Sequence, residues 1–366
     1  MTTDRQARLD WLGLRLIPGV GSVRFSRLLK AFGSPGQALG APLERLRAVP
    51  GLGDAVAQAI HRRAFAQDPE KELTRLDKMG AKVVTVEDPD YPPLLARIYA
   101  APPILFVRGD LGPCGQGGVA VVGSRSMSPY GRRVAEDLGR DLARAGVCVV
   151  SGLARGIDTA AHRSALAAGG PTAGVLGCGL DVPYPRENLE LVAQMAQKGA
   201  VLTEFPLGTP PVAANFPVRN RIISGLSRAV VVVEGGLRSG SLITARHALD
   251  QGREVFAVPG PVGTPGVEGC HELIRQGARL FSSSQDILAP GALPALKDPL
   301  EQTPVCDIDL PPQARRLLEL IGADPVHVDL LARESGLLPQ EVSALLVNLE
   351  LAGLVSAQPG KHYVRN

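Results

Sequence analysis

The sequence contains no long apolar run, and no stretch approaches the roughly 18 residues that a membrane-spanning helix needs. Its first residues, MTTDRQARLDW, also lack the apolar core of a signal peptide. These two absences argue against a membrane-spanning or secreted protein, so we expect a cytoplasmic one.

Cysteine and histidine are few and scattered. The five cysteines form no C-x-x-C pair, and Cys148 and Cys178 lie inside apolar, strand-like runs, which is typical of buried thiols in a reducing compartment. The six histidines have no cysteine or carboxylate partners at the spacing of metal ligands. We therefore expect reduced thiols and no metal site.

Neither sign of charge is in large excess. The sequence holds 39 Lys and Arg against 36 Asp and Glu, a net charge of +3 over 366 residues. Any binding of a polyanion must then depend on local clusters of cations. The 42 glycines and 31 prolines are spread along the chain, which indicates many tight turns.

The N-terminal segment contains a repeat. The sequence IPGVG at Ile17–Gly21 recurs as VPGLG at Val49–Gly53, and a helical pattern follows each copy. This form resembles the helix–hairpin–helix motif, whose backbone N–H groups bind a nucleic-acid phosphate. Nearby cations, among them Arg24, Arg27 and Arg62, keep DNA contact open. The alternative is a tight turn between packed helices of a small all-α domain.

Strands and helices alternate from Gly118 onward. The predicted strands are apolar and mostly β-branched: Val119–Val122, Val147–Val150, Thr172–Leu176, Ala200–Thr203, Ala229–Val233, Glu254–Val258 and Arg279–Phe281. Helices separate most of them, which predicts an α/β fold with a doubly wound, Rossmann-like parallel sheet. Ligands bind outside the carboxyl ends of such strands, so the loops that follow them should converge on one site.

The segment after Pro290 predicts a linker and then a winged-helix domain that ends in a hairpin turning at Pro359-Gly360. Its recognition helix would be Pro339–Leu351, which contains no Lys or Arg. Because insertion into a DNA groove needs cations, we expect this helix to contact protein or only to pack. The predicted divisions are an N-terminal all-α helix–hairpin–helix/SAM-like domain (1–81), a Rossmann-like domain (82–290), a linker (291–310) and a winged-helix-like domain (311–366).

The stretch from Phe216 to Thr244 combines the features of an anion site. Two cations and an amide precede its buried strand, and a Gly/Ser loop with a third cation follows it: Arg219, Asn220, Arg221, then Arg238, Ser239, Gly240 and Ser241. Arginines and the N–H groups of a helix N-terminus bind phosphate, and an aromatic ring such as that of Phe216 can stack on a base.

The first strand of the alternating region ends in Gly123-Ser124-Arg125. A single glycine is not the G-x-G-x-x-G fingerprint, so dinucleotide binding is disfavoured. Glycine, serine and arginine together suit a phosphate oxygen bound by backbone, hydroxyl and guanidinium. A plain strand-to-helix turn is the alternative.

The segment SGLARGIDTAAH contains Ser151, Asp158 and His162, the residue types of a catalytic triad. Asp158 and His162 are four apart on one helix, however, and this spacing favours a local ion pair or cap over catalysis. We expect the loop at Ser151-Gly152 to donate hydrogen bonds to a ligand and Arg155 to bind phosphate.

These motifs, taken in order, resemble the DNA-processing protein A (DprA/Smf) family. The resemblance covers nearly the whole chain and is densest from Tyr91 to Ala278, with VVGSR, SGLARGIDTAAH, GCGLDVPYP, FPVRNRIISGLS, VVVVEGGLRSGSLITARHAL and VPGPVGT. It implies a non-catalytic protein of natural transformation, active in competence and homologous recombination. Such a protein binds and protects incoming single-stranded DNA and helps to load the RecA recombinase, with no cofactor.

The resemblance also implies where DNA binds and where two subunits meet. The family's DNA pocket corresponds to Gly123–Arg125 and to Phe216 with Arg219–Arg221. A homodimer would form around His271–Ile274, although His271 stands where the family pattern leads us to expect Asn. The rival hypothesis is an enzyme that processes a nucleotide or nucleoside monophosphate, with Glu234 or Glu268 as acid or base; the PVGT sequence departs from the G-G-x-G-T loop of such enzymes.

Overall fold

The computed structural model describes residues 2–293, 311–321, 326–351, 355–358 and 362–365. Two compact units divide the chain, Met1–Leu296 and Lys297–Asn366. Most of the predicted linker, Cys306 and the predicted turn at Pro359-Gly360 lie outside the described residues.

Six helices open the first unit: α1 (Thr2–Arg15), α2 (Ser22–Phe32), α3 (Pro35–Leu39), α4 (Leu43–Arg47), α5 (Asp54–His61) and α6 (Pro69–Lys78). Both copies of the repeat are tight turns that lead into a helix, α2 and α5. Each turn contains a glycine with positive φ, 84° at Gly19 and 71° at Gly51, where a side chain would be strained. Helix α6 begins at Asp68, whose carboxylate accepts the backbone N–H groups of Glu70 and Lys71.

A nine-stranded sheet follows. Its strands are β1 (Ala81–Thr85), β2 (Ile104–Gly109), β3 (Gly118–Val122), β4 (Val149–Ser151), β5 (Thr172–Val175), β6 (Ala200–Thr203), β7 (Ser227–Val232), β8 (Glu254–Ala257) and β9 (Arg279–Leu280). The spatial order is β1-β2-β6-β5-β4-β3-β7-β8-β9. The run from β6 to β9 is parallel, whereas β2 pairs antiparallel with both β6 and β1.

Helices connect the strands on both faces of this sheet: α7 (Pro93–Ala96), α8 (Pro129–Arg144), α9 (Ile157–Ala167), α10 (Leu189–Lys198), α11 (Asn215–Gly225), α12 (Gly240–Asp250), α13 (Glu268–Arg275) and α14 (Gln285–Leu288). Alternate residues of β3 enter opposite cores. Val119 and Val121 pack in the core that contains α8 and α9, while Ala120 and Val122 pack in the core that contains α11 and α12. Burial on both faces explains why the central strands are continuously apolar.

The N-terminal helices cover one face of the antiparallel pair β1–β2. Val83 and Phe106 lie in one apolar core with Trp11, Leu12 and other helical residues. Arg8 of α1 also forms an ion pair with Asp88, which follows β1. The helical segment and the sheet therefore form one folded unit through a shared core.

The second unit is a small winged-helix fold. Its elements are α15 (Pro312–Leu320), β10 (Val326–His327), α16 (Val328–Ser335), α17 (Pro339–Leu351), β11 (Val355–Gln358) and β12 (His362–Arg365). The three strands pair antiparallel in the order β10-β12-β11. Leu346 and Leu349 of α17 are buried in the core of this unit, and Glu341 accepts the N–H of Leu338 at the start of the helix.

The predicted fold class is confirmed: helix–hairpin–helix helices, a doubly wound sheet with a parallel core, and a winged helix are all present. Strand β2 was not predicted, because it directly follows Pro102-Pro103 and a proline-rich stretch is more typical of an extended connector. The expectation of reduced thiols is wrong for Cys114 and Cys148, which form a disulfide. Cys178 and Cys270 are free and buried. Within the described part of the chain, no helix has the length and apolarity to cross a membrane.

Candidate nucleic-acid interface

A cleft of about 580 Å³ opens at the carboxyl ends of the parallel strands. Strand β3 lies between β4 and β7, so the chain leaves β3 toward one side of the sheet and returns on its other side. A parallel sheet leaves a crevice at such a switch point, because the flanking connections run in opposite directions. The cleft walls include eight of the predicted residues: Gly123, Arg125, Phe216, Arg219, Asn220, Ser239, Gly240 and Ser241.

Phe216 stands at the centre of this cleft. The Arg125 guanidinium carbon lies 5.5 Å from its ring centroid, and that of Arg219 lies 5.9 Å away. The ring of Tyr184 is tilted against it at 5.5 Å between centroids. Phe216 is therefore held by two cations and a second ring, while part of its surface stays accessible to a ligand.

Arg219 is only 4% exposed and forms the floor of the cleft. Its guanidinium donates a hydrogen bond to the carbonyl oxygen of Val175. Burial lowers the pKa of Arg219 to about 10, so the side chain is still a cation at neutral pH. Gly152 passes directly over it, and a Cβ at Gly152 would lie 2.3 Å from Nη1 of Arg219. Glycine is needed here for close approach.

Asp158 supplies the negative charge beside this cation. Its carboxylate accepts the backbone N–H groups of Gly152 at 3.0 Å and Ala154 at 3.3 Å. Burial raises the pKa of Asp158, and the Arg219 charge opposes that increase. Asp158 thus fixes the loop after β4 beside the floor of the cleft.

Ser151, Asp158 and His162 do not form a catalytic triad. The Ser151 hydroxyl is buried and donates to the carbonyl of Val121, away from the imidazole. His162 Nδ1 lies 2.6 Å from the Thr172 hydroxyl, which itself donates to a backbone carbonyl, so Nδ1 carries the proton. Burial lowers the pKa of His162 to about 3, which leaves it neutral and unable to pair with Asp158 as an ion.

The Gly/Ser loop forms the opposite wall. Ser239 caps α12 by accepting the N–H of Ser241, and the two hydroxyls lie 2.7 Å apart. Asn220 donates to the carbonyl of Gly240 at 3.1 Å, which joins this wall to α11. The first turn of α12 therefore lies at the cleft, and the N–H groups of a helix N-terminus favour an anion.

Six predicted residues lie outside the cleft or are already engaged. Ser151 and Gly152, expected to donate to a ligand, instead donate to the Val121 carbonyl and to the Asp158 carboxylate. Arg221 forms an ion pair with Glu204 at 2.6 Å and donates to Ser22 at 3.2 Å, on the side of the N-terminal helices. Arg155 is exposed and paired with Glu187 at 2.5 Å. Ser124 and Arg238 line an adjoining depression together with Glu268, and Arg125 borders both cavities.

Several residues that line the cleft were not predicted, among them Tyr184, Pro211 and Ile243. Tyr184 follows β5 in a loop that contains several prolines, and a tyrosine after a strand of a parallel sheet is a signal that could have been used. Pro211 and Ile243 have no polar atom on the side chain. Only the fold brings them to the walls.

The arginines near the two N-terminal hairpins already form hydrogen bonds within the protein. Arg24 donates to the carbonyls of Gly19 and Gly51, and Arg27 donates to the carbonyl of Pro50. These two arginines tie the two hairpins together. DNA contact by the hairpins stays a prediction, as does a dimer interface around His271, whose Nε2 lies 2.9 Å from the carbonyl of Gly260.

The fold and the cleft define a class of protein: a Rossmann-like sheet with a cationic and aromatic cleft at its carboxyl edge, preceded by a helix–hairpin–helix pair and followed by a winged helix. Residues 82–290 match the family model of DNA recombination-mediator protein A. Residues 13–65 match a SAM-like helix-hairpin-helix tandem, and residues 301–361 match the DprA winged helix domain. The chain belongs to the DNA recombination-mediator protein A family, whose members are also named DprA or Smf.

Individual relatives agree with this membership. Protein Smf of Escherichia coli (strain K12) is 45% identical over 303 residues, which are 81% of this chain and 80% of that protein. DNA processing protein DprA of Streptococcus pneumoniae (strain R6) is 47% identical over 205 residues, 56% of this chain and 72% of the relative.

Solved structures of two family members share the fold. DNA processing protein A from Streptococcus pneumoniae superposes with a TM-score of 0.68 and 38% identity, covering 76% of this chain and 95% of its own. The structure of DNA processing protein A from Helicobacter pylori, which concerns its single-stranded DNA binding mode, superposes with a TM-score of 0.51 and 30% identity. The match covers 57% of this chain and 94% of the relative.

Proposed function

We propose that this protein binds single-stranded DNA in its cleft, without catalysis, as a DNA-processing factor of natural transformation. The observation that carries the proposal is the exposed Arg125 guanidinium beside the accessible ring of Phe216, at the first turn of α12. A phosphate would lie between Arg125 and the N–H groups of α12, and a base would stack on Phe216. The single-stranded DNA binding mode of the Helicobacter pylori relative supports the same ligand.

The engaged arginines limit how many phosphates the cleft can neutralise. Arg219 is buried, Arg221 is paired with Glu204, and Arg155 is paired with Glu187. Arg125 and Arg238 are the exposed arginines among the described residues that line the cleft and its adjoining depression. A short oligonucleotide should therefore bind with a slope of log K against log salt of about −1.4, at about −0.7 for each of two neutralised phosphates.

Fluorescence anisotropy with labelled oligonucleotides tests the proposal. We expect single strands to bind more tightly than duplexes, and Arg125→Ala to lower the affinity about fivefold near 0.1 M salt. Arg62→Ala, on the N-terminal helices, is the matched control and should leave the affinity unchanged. If Arg62→Ala abolishes binding while Arg125→Ala does not, the N-terminal domain is the main site and this assignment is wrong.

We further propose that the protein protects incoming DNA, helps to load RecA and acts as a homodimer. The family membership supports these roles. Nuclease protection of a bound strand and the rate of RecA assembly on it would test the first two, with Arg125→Ala as the variant that should weaken both. Sedimentation equilibrium tests the third, and a single-protomer mass at micromolar concentration would contradict it.

The rival function, processing of a nucleotide or nucleoside monophosphate, receives less support from the geometry. Glu234 is buried, and its carboxylate accepts hydrogen bonds from both the backbone N–H and the hydroxyl of Ser128, the residue that caps α8. The carboxylate is therefore already engaged in a structural contact. Glu268 is exposed beside Arg125 and Arg238 and would be the acid or base of such an enzyme. Release of free base from a nucleoside monophosphate, abolished by Glu268→Gln, would establish the rival and refute the non-catalytic proposal.

A further inference from the structure

A second groove of about 550 Å³ lies between α8 and α9, outside the cleft. Three of its wall residues, Arg132, Arg144 and Arg163, are exposed arginines, and none of them forms an ion pair with a described residue. Arg140 is a fourth, and it is paired with Asp137 at 2.8 Å. The groove is therefore strongly cationic, although the whole chain carries a net charge of only +3.

The arginines of α8 form a row along the groove. Arg132, Arg140 and Arg144 all line the groove from α8, and the twelve-residue spacing from the first to the last covers about 18 Å of the helix. Arg163 faces them from α9. A row of cations of this length fits a linear polyanion, because each guanidinium can bind a successive phosphate.

The floor of the groove is formed by small side chains. Ala160 and Ser164 of α9 and Ala168, which follows the helix, line the groove, and the Ser164 hydroxyl donates to the carbonyl of Glu136. The two helices approach closely at Gly139, where a Cβ would lie 2.6 Å from the carbonyl oxygen of Ala161. The small residues leave an open channel, and no aromatic side chain is among the residues that line it. It suits a phosphodiester backbone better than a base.

Residues that line the groove are sequence neighbours of residues that line the cleft. Thr159 and Ala160 line the groove, and their neighbour Asp158 lines the cleft at the start of α9. Met127 lines the groove two residues after Arg125 of the cleft. A strand that leaves the cleft past Arg125 would meet the cationic row directly. Glu136 is the one carboxylate among the groove residues, so the lining remains positive.

We propose that the groove between α8 and α9 binds the backbone of single-stranded DNA where the strand leaves the cleft. This inference rests on the proposed function, and it adds a second contact region to the same strand. It predicts that affinity depends on strand length: a short strand occupies only the cleft, and a longer one also neutralises the arginines of the groove.

The test compares oligothymidylates of about 6 and about 30 nucleotides, lengths below and well above the usual span of one single-strand site. The groove variant is Arg144→Ala with Arg163→Ala. The control variant is Arg133→Ala with Lys71→Ala, which removes the same charge from exposed positions outside the groove. Both double variants should melt at the wild-type temperature, because all four side chains are exposed.

For the longer strand, we expect the groove variant to lower the affinity about 25-fold near 0.1 M salt and to reduce the salt slope by about 1.4, which corresponds to two lost phosphate contacts. The control variant should bind like the wild type, and the short strand should not distinguish the two variants. If the groove variant binds the long strand as tightly as the control variant does, the inference is refuted. The same result is expected if the groove binds an acidic protein surface instead of DNA. If the wild type binds neither strand, the proposed function itself fails.

Discussion

The sharpest prediction concerns Gly152, the residue that passes over the buried arginine of the cleft. In Gly152→Ala the new Cβ would lie 2.3 Å from Nη1 of Arg219 and 2.8 Å from its Cζ. Ordinary contacts of a Cβ begin near 3.4 Å, so one of the two groups must move by about 1 Å. Neither group moves easily, because Arg219 donates a hydrogen bond to the carbonyl of Val175 and the Gly152 N–H donates one to the Asp158 carboxylate.

Overpacking of this kind costs about 1–3 kcal/mol. We expect the melting temperature of Gly152→Ala to fall by about 2–8 °C. Because Arg219 also contacts the ring of Phe216, its displacement should disturb the cleft and lower the affinity for a short single strand about tenfold, equivalent to about 1.4 kcal/mol.

Gly240→Ala is the matched control. Gly240 lines the same cleft at the first turn of α12, but a Cβ there would have no heavy atom within 4 Å. This variant should melt and bind as the wild type does. Wild-type melting and affinity in Gly152→Ala would refute the view that the cleft floor is rigid. Equal losses in both variants would show instead that any added methyl group in the cleft blocks the ligand.

Three further predictions follow from other contacts. Phe216→Ala should weaken binding of a short strand by about 1–3 kcal/mol with little change of the salt slope, whereas Phe216→Tyr should bind normally in the same anisotropy titration. His162 has a folded-state pKa of about 3, below its usual value near 6.5, so the unfolded chain binds the extra proton and stability should fall as the pH drops below about 6.5. This loss should be about 2–3 kcal/mol between pH 6 and pH 4, and denaturant unfolding of His162→Asn should lack it; equal pH dependence in both proteins would contradict the assignment. Arg221→Met leaves the Glu204 carboxylate buried without its cation, so it should lower the unfolding free energy by about 3–5 kcal/mol in denaturant titration, and an unchanged value would argue against a buried pair.

Much of the sheet could be predicted from sequence because its chemistry is local. Strands such as Ala229–Val233 are buried on both faces and therefore appear as unbroken β-branched runs. Strand β2 also has an apolar run, but the prolines before it indicated a connector. The disulfide joins Cys114 and Cys148, which are far apart in sequence, and only the fold brings their Cα atoms to 5.3 Å.

The cleft residues were predicted less completely, because side chains that are close in sequence lie on different faces of α11. Arg219 and Arg221 were predicted to belong to one cluster of phosphate-binding residues. Both residues lie in α11, where successive side chains are rotated by about 100° around the helix axis. Two residues that are two positions apart therefore lie on nearly opposite faces of the helix. One side of α11 therefore forms the cleft floor with Arg219, while the other side meets the N-terminal helices through Arg221. The motif of adjacent arginines combines a binding residue and a structural one.

This division has a consequence for experiments on the N-terminal domain. Arg221 and Glu204 bond to Ser22 at the start of α2, and Arg15 donates to the carbonyl of Glu204. Removing the helices would expose the buried ion pair and one apolar face of β1–β2, and both changes would destabilise the sheet that supports the cleft. Loss of DNA binding in a truncated chain would therefore not show that the hairpins touch DNA. Exposed positions in the full chain, such as Arg62, can separate the two effects, because a substitution there removes a charge and leaves the shared core intact.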